Sequence, residues 1–250
     1  MADPPETSFG IDLKDITLGY DSVPLFAGLD FHLASGRCTC LLGPSGVGKS
    51  SLLRVIAGLL SIDGGHFSCS DGRPMDDRLA WMGQSDGLLP WLTVAENVGL
   101  GSRFRGETPD RERALGLLAN VGMEDLADRL PATLSGGQRQ RAALARTLME
   151  DRPVILMDEP FSSLDAITRS RLQGLAARSL AGKTVLLVTH DPLEALRLGH
   201  HIHVMVGTPA TIEPAISPGG APPRALDDRD LLDLQATLLE RLEKAMDQAA

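Results

Sequence analysis

The sequence predicts an α/β fold with a mixed, mainly parallel sheet, an antiparallel β region and a small helical subdomain. Three observations carry the prediction. GPSGVGKS, Gly43–Ser50, sits between an apolar run, Thr39–Leu42, and the helix-like stretch SLLRVIAGLL. Two further short apolar runs, VILMDE at Val154–Glu159 and Thr184–Val188, end in polar residues and suit buried parallel strands. Between Leu88 and Met149 the strand signal vanishes and helical periodicity replaces it.

The first observation carries chemistry. Gly43, Gly46 and Gly48 let the backbone curl so that consecutive N–H groups face phosphate oxygens. A helix start behind them adds its positive end. Lys49 supplies a mobile cation for the β- and γ-phosphates, and Ser50 offers a hydroxyl to Mg²⁺. Strand, glycine loop and helix together predict a P-loop NTPase core.

Composition bounds the rest. The 250 residues fit one large domain or a core with a subdomain, and 43% hydrophobic residues suit a sizeable core. A net charge of −9 argues against nucleic acid as a partner, since that binding runs on basic surface. Three cysteines make no disulfide framework and suggest a cytoplasmic setting. Met1–Gly10 lacks the basic and apolar regions of a signal peptide. No run of about 18 apolar residues exists to span a bilayer.

In chain order, residues 1–9 are expected to be a flexible N-terminus. Ile11–Leu18 reads as a strand, Asp21–Pro24 as a turn, and Leu29–Leu33 as a half-buried strand by its alternation. The stretch after the glycine loop, SLLRVIAGLL, reads as a helix with apolar Leu52, Leu53, Val55, Ile56 and Leu59. Asp63–Gly65 reads as a turn and Leu79–Met82 as a strand. Helices are expected over Leu88–Leu100, Pro109–Leu130, Arg141–Met149 and Ala166–Leu180, and a last strand over Ile202–Val206. Gly207–Pro223, rich in Pro, Gly and Ala, reads as a linker. Asp227–Gln248 is an amphipathic helix with Leu231, Leu234, Leu238, Leu242 and Ala245 on one side. The domain reading is therefore a core of 10–85 and 151–206, a helical subdomain of 86–150, and a tail of 207–250. Cys38 and Cys40 share a strand face, as do His201 and His203; buried hydrophobes and a strand end are the plainer readings than metal ligands.

Two more sites stand out. A strand that delivers Asp158 beside the phosphate loop can hold Mg²⁺, and Glu159 next to it can polarise a water. Solvated acids at a strand end are the alternative. In LSGGQRQR, Leu134–Arg141, Ser135 suits a helix N-cap, and Gly136 and Gly137 expose N–H groups at a helix start. That is a second anion site, or a helix cap and no more. Two phosphate-binding elements in one chain suit two chains head to tail, each lending its second element to the other's nucleotide.

With these motifs in order, the chain resembles the ATP-binding subunit of ABC transporters over about residues 10–206. GPSGVGKS matches the Walker A motif, Gln84 the Q-loop glutamine and LSGGQ the signature. VILMDE matches Walker B, SSLD at Ser162–Asp165 the D-loop, and His190 the switch histidine. Tyr20, the only tyrosine, stands where the family has an aromatic residue on adenine. The resemblance implies ATP bound by Tyr20, Gly43, Pro44, Ser45, Gly46, Val47, Gly48, Lys49, Ser50 and Ser51. It implies Mg²⁺ at Ser50, Gln84 and Asp158, and catalysis by Glu159, His190 and Gln84. Ser135, Gly136, Gly137 and Gln138 would act on the partner chain's ATP, with Asp165 at the dimer interface. After the switch histidine the chain departs from many relatives with Gly199-His200-His201-Ile202-His203, which touches no catalytic position.

Leu88–Val98, LLPWLTVAENV, is similar to subunits serving nitrate, sulfonate, taurine and thiamine-precursor importers. The resemblance thus implies an ATPase that energises import of a small polar solute. Its partners would be a second copy of itself, membrane permease subunits and, indirectly, an extracytoplasmic solute-binding protein. It would sit at the inner face of the cell membrane through the permease. An export or lipoprotein-release subunit, or a non-transport ATPase of the same family, is the alternative.

Overall fold

The run CTCLL, Cys38–Leu42, is apolar along nearly all its length and takes the middle of a sheet covered on both faces. It is strand β3 of a computed structural model that describes residues 8–21, 23–225 and 227–247. Around it lie β5 (Leu79–Met82), β6 (Val154–Asp158), β7 (Thr184–Val188), β8 (His201–Val206) and β9 (Thr211–Ile212). Their order is β5-β6-β7-β3-β8-β9, parallel throughout except for the antiparallel pair β8 and β9. Val188 pairs with both Asp158 and Leu41, so the carboxyl ends of β6, β7 and β3 finish side by side. A second sheet, β2-β1-β4, is antiparallel and is built from β1 (Ile11–Tyr20), β2 (Val23–Leu33) and β4 (Gly64–Cys69).

The alternation of strand residues divides the core. Leu41, Val154, Leu156, Leu186 and Val188 face α1 (Lys49–Ile56) and the antiparallel sheet. Cys40, Leu42, Ile155, Met157, Val185 and Leu187 face the other way. That face packs against α5 (Gly136–Met149), α6 (Ala166–Ser179), α7 (Pro192–Leu198) and α8 (Arg229–Asp247). Between β5 and α5 lie α2 (Val94–Val98), α3 (Leu100–Phe104) and α4 (Arg111–Asn120), with 3-10 turns at Glu124–Leu126 and Pro131–Thr133. No helix among the described residues is long and apolar enough to cross a membrane.

Several expectations are corrected. Leu59 lies outside the helix: α1 stops at Ile56, Gly58 takes φ +69, and Leu59 N–H bonds back to Arg54 O, leaving Leu59 68% exposed. Leu88–Leu92 is not helical. Buried Asn97 donates to Leu89 O, Leu92 O and Thr93 O, holding that stretch as an irregular turn before α2. The helix expected over Pro109–Leu130 ends at Asn120, where Gly122 takes φ +67. Helix α5 begins at Gly136, ahead of the expected Arg141, because a capping box of Ser135 and Gln138 starts it there. Asp63–Gly65 is not simply a turn, since Gly64 opens β4; Tyr20 pairs with Val23, so β2 begins inside the expected Asp21–Pro24 turn. The segment 207–223 is more than a linker: it supplies β9, Ile216 bridges Ile202, and Ala210 is buried. Of the expected loose N-terminus, residues 1–7 lie outside the described residues. Phe9 is buried, and its carbonyl accepts a 2.6 Å hydrogen bond from Thr184 Oγ1. Helix α7 was not expected at all.

The tail helix α8 buries Leu231, Leu238 and Ala245 and packs Leu234 and Leu242 beside them, against α7 and β8. Gln248, the expected end of that helix, lies outside the described residues.

Candidate nucleotide site

The parallel sheet places the site. In such sheets ligands bind outside the carboxyl ends of the strands. Beyond β3 the chain enters the loop Gly43–Gly48. Gly43 has φ +148, and a Cβ there would lie 2.5 Å from Met205 O, so only glycine fits. Lys49, 9% exposed, folds its ammonium into this loop and donates to Gly43 O and Pro44 O, both at 2.7 Å. Burial lowers its pKa; Glu159 and Asp158 act in the opposite direction.

Beyond β6 stand the two carboxylates. Ser50 Oγ donates to Asp158 Oδ2 at 2.8 Å, joining the loop to the strand end. Burial raises the Asp158 pKa, and the Ser50 hydrogen bond partly offsets it. A hydroxyl and a buried carboxylate meeting beside a phosphate loop form an oxygen donor set that fits Mg²⁺. Glu159 takes φ +51, uncommon for a residue with a side chain, and its N–H donates to Val188 O at 2.9 Å. Beyond β7, His190 Nδ1 lies 3.4 Å from Glu159 Oε2. Gln84 follows β5, whose Met82 pairs with Met157, so it emerges on the other side of β6 and is exposed.

The remaining residues lie further out. Tyr20, 49% exposed, ends β1 opposite Val23, two residues before Leu25, which packs at Gly48. Among the described residues, Ser135 and Gln138 hydrogen-bond each other and not the phosphate loop of their own chain. Ser135 and Gly136 are exposed. Asp165 caps α6 by accepting from Thr168 N at 3.0 Å. His203 and His201 engage Glu213 O and Ser217 Oγ, both at 3.0 Å, and Cys40 is fully buried in the core.

Sequence reasoning missed Gln140. It is buried one turn into α5, and its amide bonds to the chain just after β6. The only signal was its place within LSGGQRQR. It also missed Arg139 and Arg146, which tie the stretch after Gln84 to α5. Arg139 pairs with Asp86 at 3.0 Å, and Arg146 donates to Asp86 O and Gly87 O.

Known proteins resemble this chain in sequence and in fold. Residues 26–162 match the family described as ABC transporter. An aliphatic sulfonates import ATP-binding protein of Rhodococcus jostii is 42% identical over 244 residues, 97% of each chain. An uncharacterised ABC transporter ATP-binding protein of Haemophilus influenzae is 42% identical over 241 residues, 93% of this chain and 98% of that one. A solved dimeric ATP-binding cassette in a post-hydrolysis state, bound to ADP and phosphate, superposes with a TM-score of 0.74 at 31% identity. The match covers 84% of this chain and 99% of that one. Motif order, sheet order and these likenesses agree, and the chain belongs to the ATP-binding subunits of the ABC transporter family.

Proposed function

We propose that this chain hydrolyses ATP to drive uptake of a small organic anion, with an aliphatic sulfonate as the best-supported class, through a separate permease. The observation that carries the ATPase reading is the meeting of Lys49, Ser50–Asp158 and Glu159–His190 at the carboxyl ends of adjacent strands. Lys49, now on loop carbonyls, would turn its ammonium to the β- and γ-phosphates, while the loop N–H groups hold the same oxygens. Ser50 and Asp158, joined by Gln84 from the end of β5, would hold Mg²⁺, which supplies charge neutralisation when bound. Glu159 would orient the attacking water and take its proton, with His190 fixing the carboxylate. Tyr20 would stack on adenine. Ser135–Gln138 of a second copy would close over the γ-phosphate, with Asp165 at that interface.

The sulfonate class rests on relatives named for aliphatic sulfonate import. Docking on a permease is supported by exposed aromatic side chains on the helical subdomain: Trp91 is 71% and Phe104 78% exposed. A solute-binding protein would deliver the anion from outside, and this subunit would sit on the inner face of the membrane. Cells lacking the chain should lose uptake of radiolabelled ethanesulfonate. The parent chain should restore it, and Lys49→Ala should not. Undiminished ethanesulfonate uptake in the deletion strain would overturn the assignment of solute class.

A further inference from the structure

Glu159 holds a left-handed backbone conformation that is strained for a residue with a side chain and persists only where surrounding contacts over-determine it. Some contacts are near at hand: Ser162 N–H and Oγ donate to Glu159 O at 3.4 and 3.1 Å, and Glu159 N–H donates to Val188 O at 2.9 Å. The remaining contact reaches in from another helix. Gln140, 8% exposed on α5, donates from Nε2 to Glu159 O at 2.9 Å and to Ser162 Oγ at 3.3 Å. Its Oε1 accepts from Ser163 N–H at 2.8 Å. A backbone carbonyl only accepts and a backbone N–H only donates, so these partners fix which way the amide points. The two ends of the turn from Glu159 to Ser163 are thereby tied to one side chain. Helix α5 lies close against the same turn, where a Cβ on Gly137 would come within 3.1 Å of Ser163 O.

From this geometry we infer that Gln140 is a positioning residue for hydrolysis: it holds the Glu159 backbone so that the carboxylate meets the water. The inference rests on Glu159 being the water-activating group. It also has a consequence for coupling. Gln140 stands on the helix that begins with Ser135–Gln138, so a shift of α5 toward a partner's nucleotide moves the clamp on its own chain's Glu159. The position of one helix therefore bears on both ATP sites of a dimer.

The test is single-turnover hydrolysis of radiolabelled ATP by the purified full-length chain, with ATP affinity measured by calorimetry on the same preparations. Gln140→Leu removes all three hydrogen bonds. Gln140→Glu keeps the size and the acceptor for Ser163 N–H but sets a second acceptor against Glu159 O. Misplacement of a catalytic group by about 1 Å costs on the order of a hundredfold. Both variants should therefore lose at least tenfold in hydrolysis rate while ATP affinity stays within twofold. The discriminating arm is a double-mutant cycle. In a Glu159→Gln background, Gln140→Leu should change the residual rate by less than twofold, because the carboxylate it positions is gone. A purely structural glutamine would lower the rate in both backgrounds alike. A parental rate in both Gln140 variants, or equal losses with and without the Glu159 carboxylate, overturns the inference. A parental rate in Glu159→Gln alone overturns instead the assignment of Glu159, and the inference with it.

Discussion

At the scale of single residues, the site is organised by side chains that already have partners. Lys49 is the clearest case. Its ammonium is buried and satisfied by two carbonyls of its own loop, so nucleotide must replace those contacts with phosphate oxygens. Hydrogen bonds to charged groups are worth about 1.5–3 kcal/mol. Lys49→Ala should then weaken ATP binding by about tenfold to a hundredfold, at about 1.4 kcal/mol per tenfold. The loop itself should persist, since its shape is set by glycines and by the Ser50–Asp158 bond. Calorimetry with ATP measures the loss, and a far-ultraviolet spectrum like the parent's checks the fold. Parental affinity would remove Lys49 from the phosphate site. Asp158 shows the same economy of partners. Its carboxylate is buried against Ser50 in a place where a cation would reward its charge.

At the scale of elements, α7 carries a titratable group that the site does not use. Glu194 is buried there, accepting from Gln173 Nε2 at 3.0 Å. Burial pushes its pKa up to about 7, against hydrogen bonds from Thr189 and Gln173; the Asp191 charge adds to the rise and Arg169 opposes it. The sign of the consequence follows from linkage. Between the unfolded carboxylate value near 4.5 and about 7 the folded chain holds a proton that the unfolded chain has released. Stability therefore falls as pH rises through that window and levels off above it. Glu194→Gln removes the charge and should raise the urea midpoint at pH 8 while leaving it near the parent's at pH 5. A shift of equal size at both values would refute the account. Elements differ in how far the sequence exposed them. Strands β3, β6 and β7 were legible because a strand buried on both faces is apolar along nearly all its length, and each is followed at once by glycine or polar residues. Helix α7 was hidden, although Asp191-Pro192 is a helix start, because seven residues give periodicity too little length. Strand β9 is two residues long and exists only by pairing with β8, so no local pattern announces it. Lys49, Ser50, Asp158 and Glu159 were legible as motif positions, but the reach of Gln140 across to Glu159 is tertiary and has no local signature.

At the scale of the whole molecule, the two elements proposed to bind phosphate share no hydrogen bond among the described residues: the capped start of α5 is exposed, and Ser135 and Gln138 bond each other rather than the loop at Gly43–Ser50. The solved post-hydrolysis cassette that superposes on this chain is a dimer. A nucleotide-bridged dimer would place each Ser135–Gln138 over the other chain's γ-phosphate. Each copy carries a net charge of −9, so two copies repel, and ATP adds more negative charge. Closure must then depend on the γ-phosphate and the N–H groups and cations that surround it. Glu159→Gln keeps the shape of the side chain and removes the carboxylate. It should slow hydrolysis to a small residual rate, accumulate as a dimer with MgATP, and run as a monomer with MgADP, as read by light scattering. A second substitution tests the contact itself. Ser135→Asp preserves a good helix cap, so α5 should still start at Gly136, but it sets a negative charge against the partner's γ-phosphate. Combined with Glu159→Gln it should return the ATP-bound protein to a monomer while each chain still binds ATP. A dimer that survives Ser135→Asp undiminished would mean that the exposed start of α5 does not face the partner's nucleotide.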